Sequence, residues 1–309
     1  MATPQPIKPT TDRRMTLYSY FRSSCSTRVR FALHLKGLNH LVTYRYVDCA
    51  SDEHLRAEYE AVSLSNTLPC LVIDEVVDER NVEEIKVGLE VTPQLRRTVV
   101  SQSLAILEYF EEQYPDSMPR LIPSLSGLLS LSSDTRERNE VILRRGQVKN
   151  LALIVVADWQ PLANLSPVRQ VASLALEHAE RTHSTPKDEG NDKEANHLSQ
   201  VIDGWLEWSH TRGLRAYERY AKSTAGHFSV GDELTLADIV LVPAVENWVR
   251  DDWERKMEVL RTGFPTTYRI FENCRELDAY KKAHWTAQLD NNVGLDSPVF
   301  LIGGTAIAK

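Results

Sequence analysis

The chain has 309 residues, of which 42% are hydrophobic and 26% charged, and its formal net charge is −7. This length is enough for two domains, and the composition is typical of a globular protein rather than a disordered one. The negative net charge argues against nucleic-acid and anionic-membrane partners, because both favour a basic surface.

The cysteines indicate a reducing compartment. There are four of them, Cys25, Cys49, Cys70 and Cys274, and no signal-like apolar segment stands at the start of the chain. This pattern fits a cytosolic protein better than a disulfide framework, and none of the spacings predicts a metal site. The longest strongly apolar run, residues 151–157, is too short to span a bilayer, so we expect no membrane association.

The first predicted element follows a flexible tail, residues 1–14, and is a strand that leads directly into a helix. Ser23, Ser24, Cys25 and Ser26 lie between the two, at the predicted N-terminus of the helix. Unpaired backbone N–H groups and the helix dipole stabilise an anion there, above all a thiolate. The structural alternative is that serine is a good N-cap and cysteine a small apolar filler.

A second strand is predicted over residues 40–47, parallel to the first within a β-α-β unit. A buried strand over residues 68–74 then opens on Pro69, a position where proline is tolerated. A cis bond at Pro69 would instead turn the backbone of Leu68 outward, where it could pair with an extended, peptide-like ligand. Residues 74–97 are acidic and without period, which predicts a loop or hairpin extension.

Gln102 and Ser103 stand at the N-terminus of the next predicted helix, residues 104–110, after a short strand over residues 98–100. Free N–H groups beside amide and hydroxyl side chains can bind a carboxylate. A plain helix cap is the alternative.

Residues 115–123 contain three prolines and predict a linker. Beyond it the pattern is helical only, interrupted by a charged segment, residues 184–195, that we expect to be a flexible surface excursion. Thr235 and Asp238 have the spacing of a capping box. The apolar run that follows them predicts a buried helix at the centre of the second domain.

This order of elements resembles the glutathione transferases, and the Ser-Ser-Cys run within residues 18–30 is similar to the signature of their zeta class, whose founding activity is maleylacetoacetate isomerase. Further similarity occurs over residues 102–106, 160–166 and 223–243, and the resemblance covers most of residues 15–285. It implies an α/β, thioredoxin-like N-terminal domain over residues 15–114 and an all-α C-terminal domain over residues 124–309. The family is usually homodimeric.

The resemblance further implies glutathione as the cofactor. The backbone of Leu68 would pair with its cysteinyl part, Pro69 would be cis, and Gln102 with Ser103 would hold the γ-glutamyl carboxylate.

The glutathione sulfur would then lie beside the serine–cysteine run. Ser23 is the first choice for the hydroxyl that meets it, and Ser24 is the main competitor. Cys25 would either shape and polarise the pocket or react itself.

The resemblance implies a cis–trans isomerase, in which thiolate addition, bond rotation and elimination act on a double bond conjugated to a carbonyl. Arg250 falls where the family anchors its small-molecule electrophile, Arg22 is a second candidate, and Gln160 and Asn164 could add hydrogen bonds. The alternative for Arg250 is a surface ion pair with one of three nearby acids: Asp251, Asp252 and Glu254.

Several residues depart from the family pattern. Thr27 replaces the usual tryptophan, Ser63 and Leu64 replace Asn-Pro, and Thr67 replaces a glutamine that could contact glutathione. Residues 74–97 and 184–195 look like insertions relative to the family, and these additions favour a substrate other than maleylacetoacetate, such as a cis-enone or polyene from a biosynthetic pathway. A glutathione-conjugating transferase and a non-catalytic interaction module are the competing hypotheses.

Overall fold

The computed structural model describes residues 13–77, 94–124, 135–182, 191–291, 300–302 and 305–307. The sequence similarity to glutathione transferases is matched by the architecture, in which a mixed four-stranded sheet with helices precedes a helical region.

The sheet contains β1 (Arg13–Ser19), β2 (Val42–Tyr46), β3 (Cys70–Val77) and β4 (Gln94–Ser101) in the order β2-β1-β3-β4. β1 is parallel to β2, as the β-α-β prediction requires, and β3 is antiparallel to both β1 and β4. All connections that carry polar site candidates therefore converge on one end of the sheet.

Helix α1 (Ser24–Leu35), the short α2 (Ala57–Glu60) and α3 (Ser103–Gln113) complete the first half of the molecule. Phe31 of α1 and Ile106 of α3 are buried in the same core as residues of the central strands. This packing fixes where the first turns of α1 and α3 lie relative to the sheet.

Two boundaries in the first half differ from the prediction. β1 begins at Arg13, so the tail predicted over residues 1–14 is too long, because Arg13 pairs with Glu75 of β3. β3 and β4 also continue into the predicted insertion, where Asp74 accepts two hydrogen bonds from Arg97 at 2.7 and 3.0 Å. These cross-strand charge pairs replace the apolar alternation that identifies strands. Residues 78–93 lie outside the described part.

The predicted linker, residues 115–123, contains no helix or strand but is anchored. Leu121 and Ile122 are buried in the core, and the backbone N–H of Leu121 donates to the buried carboxylate of Glu111 at 3.1 Å. Lys36, at the end of α1, binds the other oxygen of Glu111 at 2.6 Å. Lys36 and Glu111 therefore anchor the segment to the first half, and the carbonyl of Leu121 accepts the backbone N–H of Leu236 from the helical half at 2.8 Å.

The helical half begins with α4 (Thr135–Leu153), which continues through a π-helical turn (Ile154–Trp159) and a 3-10 turn (Gln160–Ala163). It continues with α5 (Leu165–Thr182), α6 (Asn191–Thr224), α7 (Leu236–Val249), α8 (Trp253–Gly263), α9 (Pro265–Arg275) and α10 (Asp278–Ala283). As predicted, α7 is buried along nearly its whole length.

Two features of this half were not predicted. α6 begins at Asn191, within the segment predicted as an excursion over residues 184–195, of which residues 184–190 lie outside the described part. β5 (Phe300–Ile302) and β6 (Thr305–Ile307) form an antiparallel pair in a region predicted to be all-helical. Three-residue strands are too short to show a period.

By length and composition alone, the stretch from Thr135 to His178 is apolar enough to cross a membrane. The structure divides it at the 3-10 turn that contains Pro161, and Val148, Leu151 and Trp159 from it are fully buried in the protein core. Part of its apolar surface therefore packs in the protein core, while Leu143 and Leu174 are more than half exposed.

The capping box predicted at the start of α7 is present, and its buried acid, Asp238, also binds a residue of the preceding loop. Asp238 accepts hydrogen bonds from the backbone N–H and the hydroxyl of Thr235 at 2.8 and 2.9 Å. Its other oxygen accepts the N–H and the hydroxyl of Ser229 at 2.8 and 2.5 Å. One side chain thus ties the start of the central helix to the loop before it.

Replacing Asp238 by alanine should lower the free energy of unfolding by about 3 kcal/mol, because two buried N–H donors and a helix cap lose their acceptor. Chemical denaturation measures this loss. Asp238→Asn keeps one oxygen acceptor and should lose about half as much; equal losses from both variants would contradict the hydrogen-bond explanation.

Candidate active site

Ser23 is the N-cap of α1, and its hydroxyl oxygen accepts the backbone N–H of Ser26 at 3.2 Å. Because this bond uses the oxygen as an acceptor, the hydroxyl proton can still be donated to a group in front of the helix. Ser24 and Cys25 occupy the first helical turn, where backbone N–H groups and the helix dipole favour negative charge. The first turn of α1 can therefore stabilise a thiolate.

A cleft of about 1120 Å³ opens in front of this turn, between the sheet and the helical half. Eight of the site residues predicted from the sequence line it: Arg22, Ser23, Ser24, Cys25, Leu68, Gln160, Asn164 and Arg250. Pro69, Gln102 and Ser103 do not line it. The structure thus brings the residues predicted to contact the glutathione sulfur and the substrate together in one cleft. The three other candidates lie outside its lining.

Those three candidates lie at the same end of the sheet as the cleft. Cys70 is paired with Ser101, which places Leu68–Pro69 at the start of β3 beside Gln102–Ser103 at the end of β4. The Leu68–Pro69 bond is cis, as the resemblance implied. Among the described residues no hydrogen bond involves the backbone of Leu68, so its N–H and C=O can pair with an extended ligand.

Gln160 connects the sulfur site to the helical half. Its side-chain oxygen accepts the thiol of Cys25 at 3.3 Å and the guanidinium of Arg28 at 3.3 Å, and its amide nitrogen donates to Asn164 at 2.5 Å. The thiol of Cys25 is therefore a hydrogen-bond donor to the helical wall of the cleft.

Arg28 is a buried cation, only 1% exposed, that the sequence analysis did not single out. It donates to the hydroxyl of Ser103 at 3.2 Å and to Gln160, while its Nε has no partner among the described residues. It forms no ion pair within the described part of the chain, and burial lowers the pKa of its guanidinium. An unpaired buried charge is costly, so this position calls for an anion.

Arg250 also lacks an acidic partner in the described structure. The acids beside it are engaged elsewhere, Asp251 with Lys256 and Asp252 with Arg255, both at 2.5 Å, so the predicted alternative of a surface ion pair is wrong. Arg250 instead donates to Asn247 at 3.0 Å and lies 5.8 Å from the ring centroid of Trp285. Burial and the charge of Arg22 lower the pKa of Arg250 to about 10, so Arg250 remains cationic at neutral pH.

The sequence analysis missed the aromatic wall of the cleft. His210 and Trp248 line it, and Trp159 donates its indole N–H to Nδ1 of His210 at 2.9 Å, which fixes the neutral tautomer with the proton on Nε2. A side chain at Gly213 would collide with the Trp159 ring. Because these residues come from three separate helical segments, no local sequence pattern predicts that they lie together.

The residues that depart from the family pattern have local partners. The hydroxyl of Thr27 donates to the Ser23 carbonyl at 3.0 Å and accepts from Arg30 at 2.8 Å, which braces the first turn of α1. The carbonyl of Thr67 accepts the hydroxyl of Tyr59 at 2.7 Å, and Leu64 is 96% exposed. No group of three or more metal-ligating side chains occurs in the described ranges.

Comparison with known proteins gives one family for both halves. The N-terminal domain of glutathione S-transferases matches residues 22–113, and the C-terminal domain of the same family matches residues 170–278.

Individual relatives match almost the whole chain. It is 32% identical over 284 residues to the maleylacetoacetate isomerase of Aspergillus fumigatus, spanning 92% of this chain and 96% of that protein. It is 31% identical over 281 residues to the maleylpyruvate isomerase of Ralstonia, spanning 90% and 100%. The structure of maleylacetoacetate isomerase from Anaeromyxobacter dehalogenans with glutathione bound superposes with a TM-score of 0.60 at 29% identity, over 90% of this chain and 98% of that one.

Proposed function

The chain belongs to the zeta class of the glutathione S-transferase family, and from this we propose that it is a glutathione-dependent cis–trans isomerase of a double bond conjugated to a carbonyl. The observation that carries the proposal is the first turn of α1, where Ser23, Ser24 and Cys25 face a cleft whose lining includes two arginines without an ion pair in the described structure, Arg22 and Arg250.

The residues present fit glutathione in three places. The unpaired backbone of Leu68 suits its peptide-like middle, and the first turn of α1 suits its sulfur. Arg28 with Ser103 offers a positive charge and a hydroxyl for a carboxylate. When bound, glutathione supplies a thiolate that adds to the conjugated double bond, leaves a rotatable single bond and is eliminated again unchanged.

The chain's own residues make the thiolate available. A free thiol has a pKa of about 8.5 and is only slightly ionised at neutral pH. The helix N-terminus and the hydroxyl proton of Ser23 favour the ionised form, and each pKa unit gained is worth about 1.4 kcal/mol. Ser23 is the proposed donor because its oxygen already accepts from Ser26, which leaves its proton for the sulfur.

The two arginines define the substrate. Addition of a thiolate to an enone places negative charge on the carbonyl oxygen, and Arg22 and Arg250 lie in the cleft without acidic partners in the described structure. Gln160 and Asn164 add polar contacts at the same wall. A cleft of about 1120 Å³ with His210 and Trp248 in its lining supports a substrate larger than a short-chain diacid.

Incubation of the purified protein with glutathione and a cis-enone acid tests the proposal. An isomerase converts many equivalents of substrate and returns the glutathione undiminished, as thiol titration would show. A conjugating transferase consumes one glutathione for each substrate. Absence of glutathione binding by calorimetry at millimolar concentration would contradict both activities and leave the non-catalytic hypothesis.

Arg28 gives a test of the cofactor site that does not require turnover. Arg28→Met should weaken glutathione binding by about tenfold or more, because a buried charge-assisted contact is lost. The glutathione-free variant should be as stable as the wild type or more stable, since an uncompensated buried charge is removed. Calorimetry and chemical denaturation measure the two effects; a destabilised variant with unchanged glutathione affinity would contradict this role.

We also propose a cytosolic homodimer. The support is the family membership and the free state of all four cysteines. Light scattering of the purified protein measures the assembly directly.

A further inference from the structure

A segment after α10 contacts both of the elements that carry the arginines of the cleft. It comprises residues 284–290, with a 3-10 turn over Trp285–Ala287, and is called here the 284–290 segment. One of its side chains packs against Arg250 and another binds the backbone next to Arg22.

Trp285 contacts the side chain of Arg250. Its ring centroid is 5.8 Å from the guanidinium carbon of Arg250, within the range of a cation–π contact. The ring is itself fixed, because its indole N–H donates to Glu246 at 3.4 Å. The same carboxylate oxygen lies 3.0 Å from Nε2 of His284, so the turn is fastened to α7, the helix that ends beside Arg250.

Asp290 binds the backbone next to Arg22. Its Oδ2 accepts the backbone N–H of Phe21 at 2.9 Å, one residue before Arg22. The carbonyl of Phe21 accepts from Arg30 at 3.0 Å, and Arg30 also donates to the carbonyl of Ala283 at the end of α10. The N–H of Phe21 is therefore bound by the 284–290 segment itself. Its carbonyl is bound by Arg30, which also binds the residue directly before that segment.

The arginines need such support because they repel each other. The charge of Arg22 is the second largest cause, after burial, of the lowered pKa of Arg250. Glu246 and Asp251 attract Arg250, each with a smaller effect than that of Arg22, and neither forms an ion pair with it in the described structure. Without an outside restraint the repulsion would favour separation of the two arginine side chains, and a ligand with two anionic groups would then have to draw them together.

We propose that the 284–290 segment sets the spacing of Arg22 and Arg250, with Trp285 and Asp290 as positioning residues for a ligand that carries two carboxylates. This inference rests on the proposed function only in assuming that the arginine pair receives the substrate.

Malonate binding to the glutathione-free protein, measured by calorimetry with acetate for comparison, tests the proposal. Wild-type protein should bind malonate at least tenfold more tightly than acetate, because the dianion engages both arginines. Asp290→Ala and Trp285→Ala should each weaken malonate binding about fivefold and leave acetate binding unchanged. Asp290→Asn and Trp285→Phe, which keep the acceptor oxygen and the ring, should stay within about twofold of wild type.

The controls separate positioning from folding. The affinity for glutathione should be unchanged in all four variants, since none of the altered groups touches the first turn of α1. The melting temperature should be close to that of the wild type in Asp290→Asn and Trp285→Phe and should fall by a few degrees at most in the alanine variants. Unchanged malonate affinity in both alanine variants, or a wild type that prefers acetate, would overturn the proposal. If the alanine variants weaken malonate binding as expected but the wild-type protein does not isomerise enones, the proposed function is refuted and the spacing role is retained.

Discussion

Ser23→Ala is expected to lower kcat/KM by about 100- to 1000-fold, the usual cost of removing one hydrogen-bond donor to a developing anion. The mutation removes the hydroxyl proton that we assign to the glutathione sulfur. It also removes the N-cap of α1, which accepts from Ser26 at 3.2 Å, so about 1 kcal/mol of stability should be lost as well.

The ultraviolet absorbance of enzyme-bound thiolate, followed against pH, distinguishes the two effects. In the wild type the thiolate should already form near neutral pH. In Ser23→Ala its titration should move upward, toward the free value of about 8.5, so that activity recovers partly as the pH rises. Ser23→Thr keeps both the hydroxyl and the cap and should restore most of the activity.

Ser24→Ala is the matched comparison. If this variant loses more activity than Ser23→Ala, and if its thiolate titration shifts further, then Ser24 rather than Ser23 meets the sulfur.

Arg250→Gln should lower kcat/KM for carboxylate-bearing enones by about 30- to 1000-fold, because the substrate anion loses a desolvated partner. The effect should appear mainly in KM for the substrate, with the KM for glutathione unchanged. Arg255→Gln is the control, because Arg255 has the same charge and lines the same cleft but is exposed and paired with Asp252. A neutral enone should lose much less turnover in Arg250→Gln, because it loses only the interaction with the developing charge on its carbonyl oxygen. An equal loss for neutral and carboxylate-bearing enones would contradict a role in binding the substrate carboxylate.

Local pattern was enough to predict the four strands along the chain with the first two parallel, the helix that starts at the serine–cysteine run, and the capped helix α7. Each depends on contacts within a few residues or on a regular alternation of apolar side chains. The sequence left residues 74–97 as either a loop or a hairpin extension, and the described ends of this segment extend β3 and β4. It could not decide between the two because Asp74 and Arg97 stabilise the extension through charge pairs across the strands, and such pairs leave no apolar period in either strand.

The candidate site was predictable only in part for the same reason. Ser23 and Arg250 stand in recognisable sequence contexts. By contrast, the contact between Cys25 and Gln160 joins residues 135 positions apart, and that between Phe21 and Asp290 joins residues 269 positions apart. Arg28 read as an ordinary helix residue, and only the structure reveals a buried charge without an ion-pair partner in the described part of the chain.

The contacts of Gln160 limit how the two halves of this fold can change during evolution. Its one carboxamide accepts from Cys25 and from Arg28, although Gln160 belongs to the helical half and the other two to the first half. A substitution in the helical half that reshapes the substrate wall near Gln160 therefore also alters the surroundings of the sulfur. Selection for a new electrophile and selection for thiolate reactivity act on overlapping residues, so the two halves of this fold are not free to diverge independently.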